Sequence, residues 1–324
     1  MEARLNPYAC VLTAGRRFYI LARMVSACPH TTMVARERMA FVSNDGTTLV
    51  GERFGDAAAP AVLFAHGFGQ TRQAWAGAAH ALAESGWQAI TFDARGHGES
   101  DRVPGGAYHL DQFITDLDGL ARALPQSPVL VGASMGGLLG ITVAGASVHP
   151  PLRALVLVDI TPRWEPAGVE RILAFMRAFP DGFASYEAAA DAIAAYLPQR
   201  RERKSASQLA PLLRLGDDGR LRWHWDPALL GVVTAEGASH QPQLLEAARR
   251  ITVPTLLISG SSSDVVSAAT VSEFLDLVPH ARHVAIARAT HMVAGDANDA
   301  FGRAILDFLA TLPMGAAAPA RSLP

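Results

Sequence analysis

Six short apolar runs, each closed by turn residues, constrain this chain more than any other feature: Ala61 to Ala65, Ala89 to Phe92, Val129 to Val131, Leu155 to Val158, Thr255 to Ile258 and His283 to Ile286. They lack the polar alternation of a strand with one wet face, so each is expected to be a strand buried on both faces. Helical segments lie between several of them, among them Ala74 to Glu84, Leu110 to Leu124 and Leu138 to Ala146. Repetition of strand and helix points to an α/β fold, a mostly parallel central sheet flanked by helices. Ahead of the first run, Met39 to Arg53 reads as two strands about Asn44-Asp45-Gly46, an antiparallel hairpin at the sheet's edge.

The rhythm stops after Asp159. From Trp164 to about Arg249 come helical patches, several prolines and aromatic residues, without a clear buried strand. So long a loop without structure of its own would be unusual, and an inserted helical cap is the economical reading. The expected division is a core of residues 36–160 and 250–312, a helical cap of 161–249, an N-terminal extension of 1–35 and a frayed, alanine- and proline-rich tail of 313–324.

Composition removes several classes of function. Half of the residues are hydrophobic, 18% are charged and the formal net charge is −2, which describes a globular protein without a broad basic field. The one local basic stretch, Arg200-Arg201-Glu202-Arg203-Lys204, reads as a solvated face, and no nucleic-acid partner is expected. No apolar run approaches the roughly 20 residues of a spanning helix, so no membrane span is expected. Phe18 to Ala27 is apolar after Arg16-Arg17 but is broken by Arg23 and followed by no small-residue cleavage pattern, which favours a cytoplasmic location over export. Both cysteines, Cys10 and Cys28, precede the core and leave it without a disulfide framework or thiolate metal ligands. The oligomeric state is open, a homodimer included.

The chemistry concentrates at strand ends. After Val129 to Val131 the chain reads Gly132-Ala133-Ser134-Met135-Gly136-Gly137, a G-x-S-x-G turn followed by an apolar helix. A serine forced onto such a turn projects its hydroxyl from the sheet, and glycines flank it because a Cβ would strike neighbouring backbone. Serine needs a base to take its proton and an acid to orient that base. His291 follows the last strand and Asp264, in Gly260-Ser261-Ser262-Ser263-Asp264, follows the strand before it. Asp159 is the competing acid, since it ends Leu155 to Val158; Asp264 is preferred for its chain position and its glycine-serine loop, and Asp159 is assigned to the pocket or turn. Oxyanion donors are expected from the backbone N–H groups of Met135, next to the nucleophile, and of Phe68 in His66-Gly67-Phe68-Gly69-Gln70.

With Ser134, Asp264 and His291 in that order, the chain from about Met39 to Leu312 resembles the α/β-hydrolase superfamily, and Asp93-Ala94-Arg95-Gly96-His97-Gly98-Glu99-Ser100 looks like its structural D-x-R-G-H-G-x-S turn. Within it the chain is most similar to small serine carboxylesterases and the cofactor-free haloperoxidase-like group. The resemblance implies water-dependent cleavage of an ester or similar acyl bond. Phe68 stands where many relatives carry glycine, and its ring is expected to narrow the acyl pocket.

The expected function is therefore a serine hydrolase for a small or medium apolar carboxylic ester, its partner a small-molecule substrate. No metal or organic cofactor is implied: among eleven histidines there is no H-E-x-x-H spacing, and His66, His80, His97 and His109 are scattered. Serine at the nucleophile position argues against epoxide hydrolase and haloalkane dehalogenase chemistry, which needs a carboxylate there. Lactonase, thioesterase and carbon-carbon bond hydrolysis all keep the serine machinery, and a silent small-ligand receptor is a further alternative. Trp164, Phe175, Phe179, Trp223 and Trp225 are the candidates for an apolar substrate cavity.

Overall fold

The computed structural model describes residues 9–10, 19–22, 34–198, 203–231, 239–296 and 298–313. Most of the expected N-terminal extension, Arg200 to Glu202 of the basic stretch and the tail from residue 314 lie outside the described residues.

The expected hairpin forms from β3 (Arg36–Val42) and β4 (Thr48–Phe54), paired antiparallel. Gly46, with φ +88°, makes the turn, and the Asp45 carboxylate accepts the N–H of Thr47 at 3.0 Å. Two short strands, β1 (Ala9–Cys10) and β2 (Tyr19–Ala22), extend this edge, β2 pairing antiparallel with β3. Next come β5 (Ala61–Ala65), β6 (Gln88–Phe92), β7 (Val129–Ala133), β8 (Ala154–Val158), β11 (Thr255–Gly260) and β12 (Arg282–Ile286), all mutually parallel where they pair. The sheet order is β1-β2-β3-β4-β6-β5-β7-β8-β11-β12.

Every residue of β5, β6, β8 and β11 is buried, as continuous apolar runs require. Because side chains alternate across a strand, each run feeds two cores. Leu63, Leu130, Leu155 and Leu157 point to one face, with α2 (Leu110–Ala123), α3 (Met135–Gly145), α7 (Gln241–Arg249) and α8 (Ala268–Leu277). Val62, Phe64, Val129, Val131, Val156 and Ile258 point to the other, with α1 (Ala76–Glu84) and α10 (Asn298–Thr311), the latter preceded by the short α9 (Val293–Asp296). Truncating any one of these large core side chains to alanine would cost about 2–5 kcal/mol. β12 departs from expectation: it is the edge strand, its last residue Ile286 alone is fully buried, and Arg282 and His283 face solvent.

Between β8 and β11 the inserted segment holds α4 (Pro166–Arg177), α5 (Tyr186–Tyr196) and the short α6 (Ala206–Leu209). It also holds an unexpected antiparallel hairpin of β9 (Leu213–Leu215) and β10 (Leu221–Trp223), turned at Gly216 to Gly219, where φ of Gly219 is +76°. Phe183, Ala189, Ile193, Leu209, Leu213 and Leu221 give this segment a small core of its own. Among the described residues no helix is long and apolar enough to cross a membrane.

Candidate active site

Strand β7 ends at Ala133 and α3 begins at Met135, so Ser134 takes the whole change of direction. Its backbone sits at φ 47° and ψ −118°, a conformation that side chains rarely adopt. The flanking glycines make this turn fit. A Cβ on Gly132 would lie 2.5 Å from the Gly136 carbonyl oxygen, and one on Gly136 would run into the Ala65 carbonyl of β5. Met135, as the first residue of α3, has an N–H with no intrahelical acceptor, at the positive end of an eleven-residue helix.

Ser134 N–H donates to Val158 C=O at 3.3 Å, which sets the turn beside the end of β8. His291 Nδ1 donates to Asp159 Oδ2 at 2.8 Å, and the Asp159 side chain is fully buried. Asp159 follows β8 directly, with φ 50°. Its other bonds satisfy the buried charge: Oδ1 accepts the Gly260 N–H at 2.7 Å, and Oδ2 also accepts the Ser263 hydroxyl at 2.5 Å. Ser263 Oγ in turn accepts the N–H groups of Val265 and Val266, both at 3.1 Å, which fixes the loop after β11.

This arrangement corrects the expected acid. Asp264 turns away from His291 to the Arg171 guanidinium of α4, at 2.6 Å on the surface. Burial, the largest single influence, pushes its pKa up, but the hydrogen bond and charge of Arg171, with smaller backbone and His291 contributions, together hold the carboxyl below its ordinary value. Gly168 of α4 packs against the Asp264 backbone carbonyl, so the helix pins the residue outward and leaves the inward position to Ser263. Asp159 was visible in the sequence at the carboxyl end of its strand; the glycine-serine loop that favoured Asp264 supplies a supporting hydroxyl instead.

Opposite the serine turn, β5 ends in His66 and the turn Gly67 to Gln70. Gln70 N–H donates to Gly67 C=O at 3.1 Å, and Gln70 Oε1 accepts the Gly67 N–H at 3.1 Å. Gly69, with φ +75°, donates its N–H to His97 Nε2 at 3.2 Å. Among the described residues, Phe68 has the one N–H of this turn without a protein acceptor. A Cβ on Gly67 would lie 3.2 Å from Ser134 Cβ, so the turn stands directly over the serine.

The histidines around the turn are buried and neutral. His66 Nε2 accepts the Ala94 N–H at 2.9 Å and its Nδ1 donates to Gly67 C=O at 2.8 Å. Burial lowers the pKa of His66, and of His97 well below the ordinary value, with the neighbouring His66 and His224 adding to the effect on His97. His97 is therefore a structural member of the Asp93 to Ser100 turn, as the sequence resemblance implies.

Ser134, Met135 and Phe68 open onto an apolar cavity of about 380 Å³. One face of α3 lines it through Met135, Leu138, Leu139 and Thr142, and Ile160, Trp164, Val169 and Ile172 come from the inserted segment. Of the aromatic candidates only Trp164 lines the cavity. Phe175 stacks on Tyr196 at 4.1 Å and meets Trp223 at 5.9 Å, so Phe175, Phe179 and Trp223 serve the segment's own core. Trp225 is buried against the Phe68 ring, 5.6 Å between centroids.

Residues 60–297 match the family model for the alpha/beta hydrolase fold. The chain is 30% identical over 253 residues to the 3-hydroxybutyrate-oligomer hydrolase of Cupriavidus necator, covering 74% of this chain and 85% of that protein. The crystal structure of E-2-(acetamidomethylene)succinate hydrolase superposes with a TM-score of 0.73 at 26% identity, covering 86% of this chain and all of that one. The esterase Rv0045c of Mycobacterium tuberculosis superposes with a TM-score of 0.68 at 25% identity over 87% of this chain and 94% of that one. Sheet order, serine turn and sequence similarity agree: the chain belongs to the α/β hydrolase fold family.

Proposed function

We propose that this protein is a serine hydrolase that cleaves carboxylic esters with a small or medium apolar acyl group. His291, held through Nδ1 by Asp159, takes the Ser134 proton at Nε2 as Oγ attacks the ester carbonyl. The N–H groups of Phe68 and Met135 receive the developing oxyanion, and the α3 dipole favours its charge. His291 then protonates the leaving alcohol and activates water, which releases the acid and restores Ser134.

The observation that carries this reading is the 2.8 Å bond from His291 to buried Asp159, the residue after Val158, whose carbonyl accepts the N–H of Ser134 at 3.3 Å in a turn that opens onto an apolar cavity. The cavity also argues for the acyl group. Met135, Leu138, Leu139 and Thr142 lie at i, i+3, i+4 and i+7, a stripe about 10 Å long at 1.5 Å per residue. Among the described lining residues there is no lysine or arginine, and Glu170 is the one carboxylate, so the cavity suits an alkyl chain better than the dicarboxylate named for the succinate hydrolase.

The test is a series of p-nitrophenyl esters from acetate to palmitate, run with a 3-hydroxybutyrate oligomer, a thioester and a lactone on wild type and Ser134→Ala. Turnover that peaks at an intermediate acyl length and vanishes in Ser134→Ala is the expected result. Turnover that survives the substitution would refute the mechanism, and preference for the thioester or lactone would move the reading to those bonds.

A further inference from the structure

The turn that carries Phe68 is held from two sides. From the core, His97 Nε2 accepts the Gly69 N–H at 3.2 Å. From the inserted cap, His224 reaches across and contacts Gly69 C=O through Nε2 at 3.1 Å, while its Nδ1 accepts the Gly98 N–H at 2.8 Å. A backbone N–H can only donate, so His224 Nδ1 is bare and Nε2 carries the proton it gives to Gly69. The ring is 2% exposed and neutral.

Both peptide groups of Gly69 are thus fixed by imidazoles, one from each part of the molecule. Gly69 needs this. At φ +75° glycine has no side chain to resist rotation, and a rotation there would re-aim the preceding Phe68 N–H. Other cap residues close on the same two positions. Trp225 packs on the Phe68 ring, and a Cβ on Gly69 would meet Met176 Cε at 2.5 Å. The cap therefore touches the donor turn through Met176, His224 and Trp225, of which His224 alone makes a hydrogen bond to the Gly69 backbone.

We propose that His224 is a positioning residue that aims the Phe68 N–H at the oxyanion, so that the oxyanion site is complete only when the cap is seated on the core. The inference rests on the serine hydrolase reading above. Its consequence is that cap seating acts on the chemical step as well as on substrate binding. His224 touches no substrate atom and acts through Gly69.

Two substitutions divide the two bonds of the ring. His224→Gln places an amide N–H where Nε2 stands and keeps the donor to Gly69. His224→Asn places an acceptor near Nδ1 and keeps the bond to Gly98, but abandons Gly69. Expected is a fall in kcat of about 10- to 100-fold in the Asn variant, below the ~10²–10³ of outright loss of an oxyanion donor, with KM nearly unchanged and kcat largely restored by Gln. Equal kcat in both variants, or losses that follow Tm alone, would overturn the proposal. A ¹⁵N NMR spectrum of histidine-labelled wild type supplies a readout independent of variant folding: His224 is expected with its proton on Nε2, and a proton on Nδ1 would overturn it as well. Full activity of His224→Asn with a dead Ser134→Ala would remove this inference alone, whereas an active Ser134→Ala would remove the hydrolase reading beneath it.

Discussion

His291 is bonded to Asp159 across the ends of non-adjacent strands, from the loop after β12 to the residue after β8, while β11 lies between them. The intervening strand does not block the pair. Its last residue, Gly260, donates its N–H to Asp159, and a Cβ there would collide with the Ala289 carbonyl of the histidine loop.

This pairing separates the two acidic candidates by experiment. Asp159→Asn removes the charge that holds the imidazole and its tautomer, and kcat for an activated ester is expected to fall by about 10³–10⁴. Asp264→Asn breaks a half-exposed pair with Arg171 worth at most about 1 kcal/mol and should leave kcat nearly unchanged. Steady-state kinetics on both variants checks the assignment.

Ser263→Ala removes the hydroxyl that donates to Asp159 Oδ2 and accepts from Val265 and Val266. Of these only the bond to Asp159 bears directly on His291, and its loss, about 1 kcal/mol, corresponds to roughly a fivefold fall in kcat/KM. The loss should be far smaller than that of Asp159→Asn, and Ser263→Thr should recover part of it.

Thr142 lies two turns along α3 from Met135, on the cavity face. Thr142→Phe is expected to fill the far end and to shift the preferred p-nitrophenyl ester toward shorter acyl chains, with acetate turnover retained. Comparison of kcat/KM along the ester series reads the shift directly.

Much of this architecture is legible in the residues. The apolar runs fed by Val62, Leu63 and Phe64, or Val129, Leu130 and Val131, could only be strands covered on both sides, and the serine turn could only join one of them to a helix. The edge position of β12 was less visible, because Val284, Ala285 and Ile286 form the same kind of run, although Ala285 is exposed along with Arg282 and His283. The β9/β10 hairpin carried a readable signal, Asp218-Gly219 between Leu215 and Leu221, the same dipeptide that marks the turn at Gly46. The acid was ambiguous for a physical reason. Which of two strand-end carboxylates meets the histidine depends on which one the tertiary packing turns inward, and Arg171 and Gly168 of α4 decide it for Asp264. The grip of His224 on Gly69 joins residues 155 positions apart and has no local trace at all.

Stability should fall in acid for a definable reason. Burial is the main cause that lowers the His224 pKa from 6.5 to about 4, partly offset by its bond to Gly69, and His66 and His97 shift in the same direction. An unfolded histidine then binds its proton before the folded one. The stabilisation is complete above pH 6.5, declines as pH drops, and is exhausted for His224 at about pH 4. For His224 this linkage amounts to about 3 kcal/mol across the window. Urea unfolding between neutral pH and pH 4 should show the decline, and a smaller one in His224→Gln.

The central claim is that Ser134 carries the covalent step, and diethyl p-nitrophenyl phosphate tests it most directly. Wild type is expected to release one equivalent of p-nitrophenolate per chain, lose its esterase activity in proportion, and show the diethylphosphoryl mass on the peptide containing Ser134. A burst of the same size from Ser134→Ala, or the added mass on any other residue, would contradict the account.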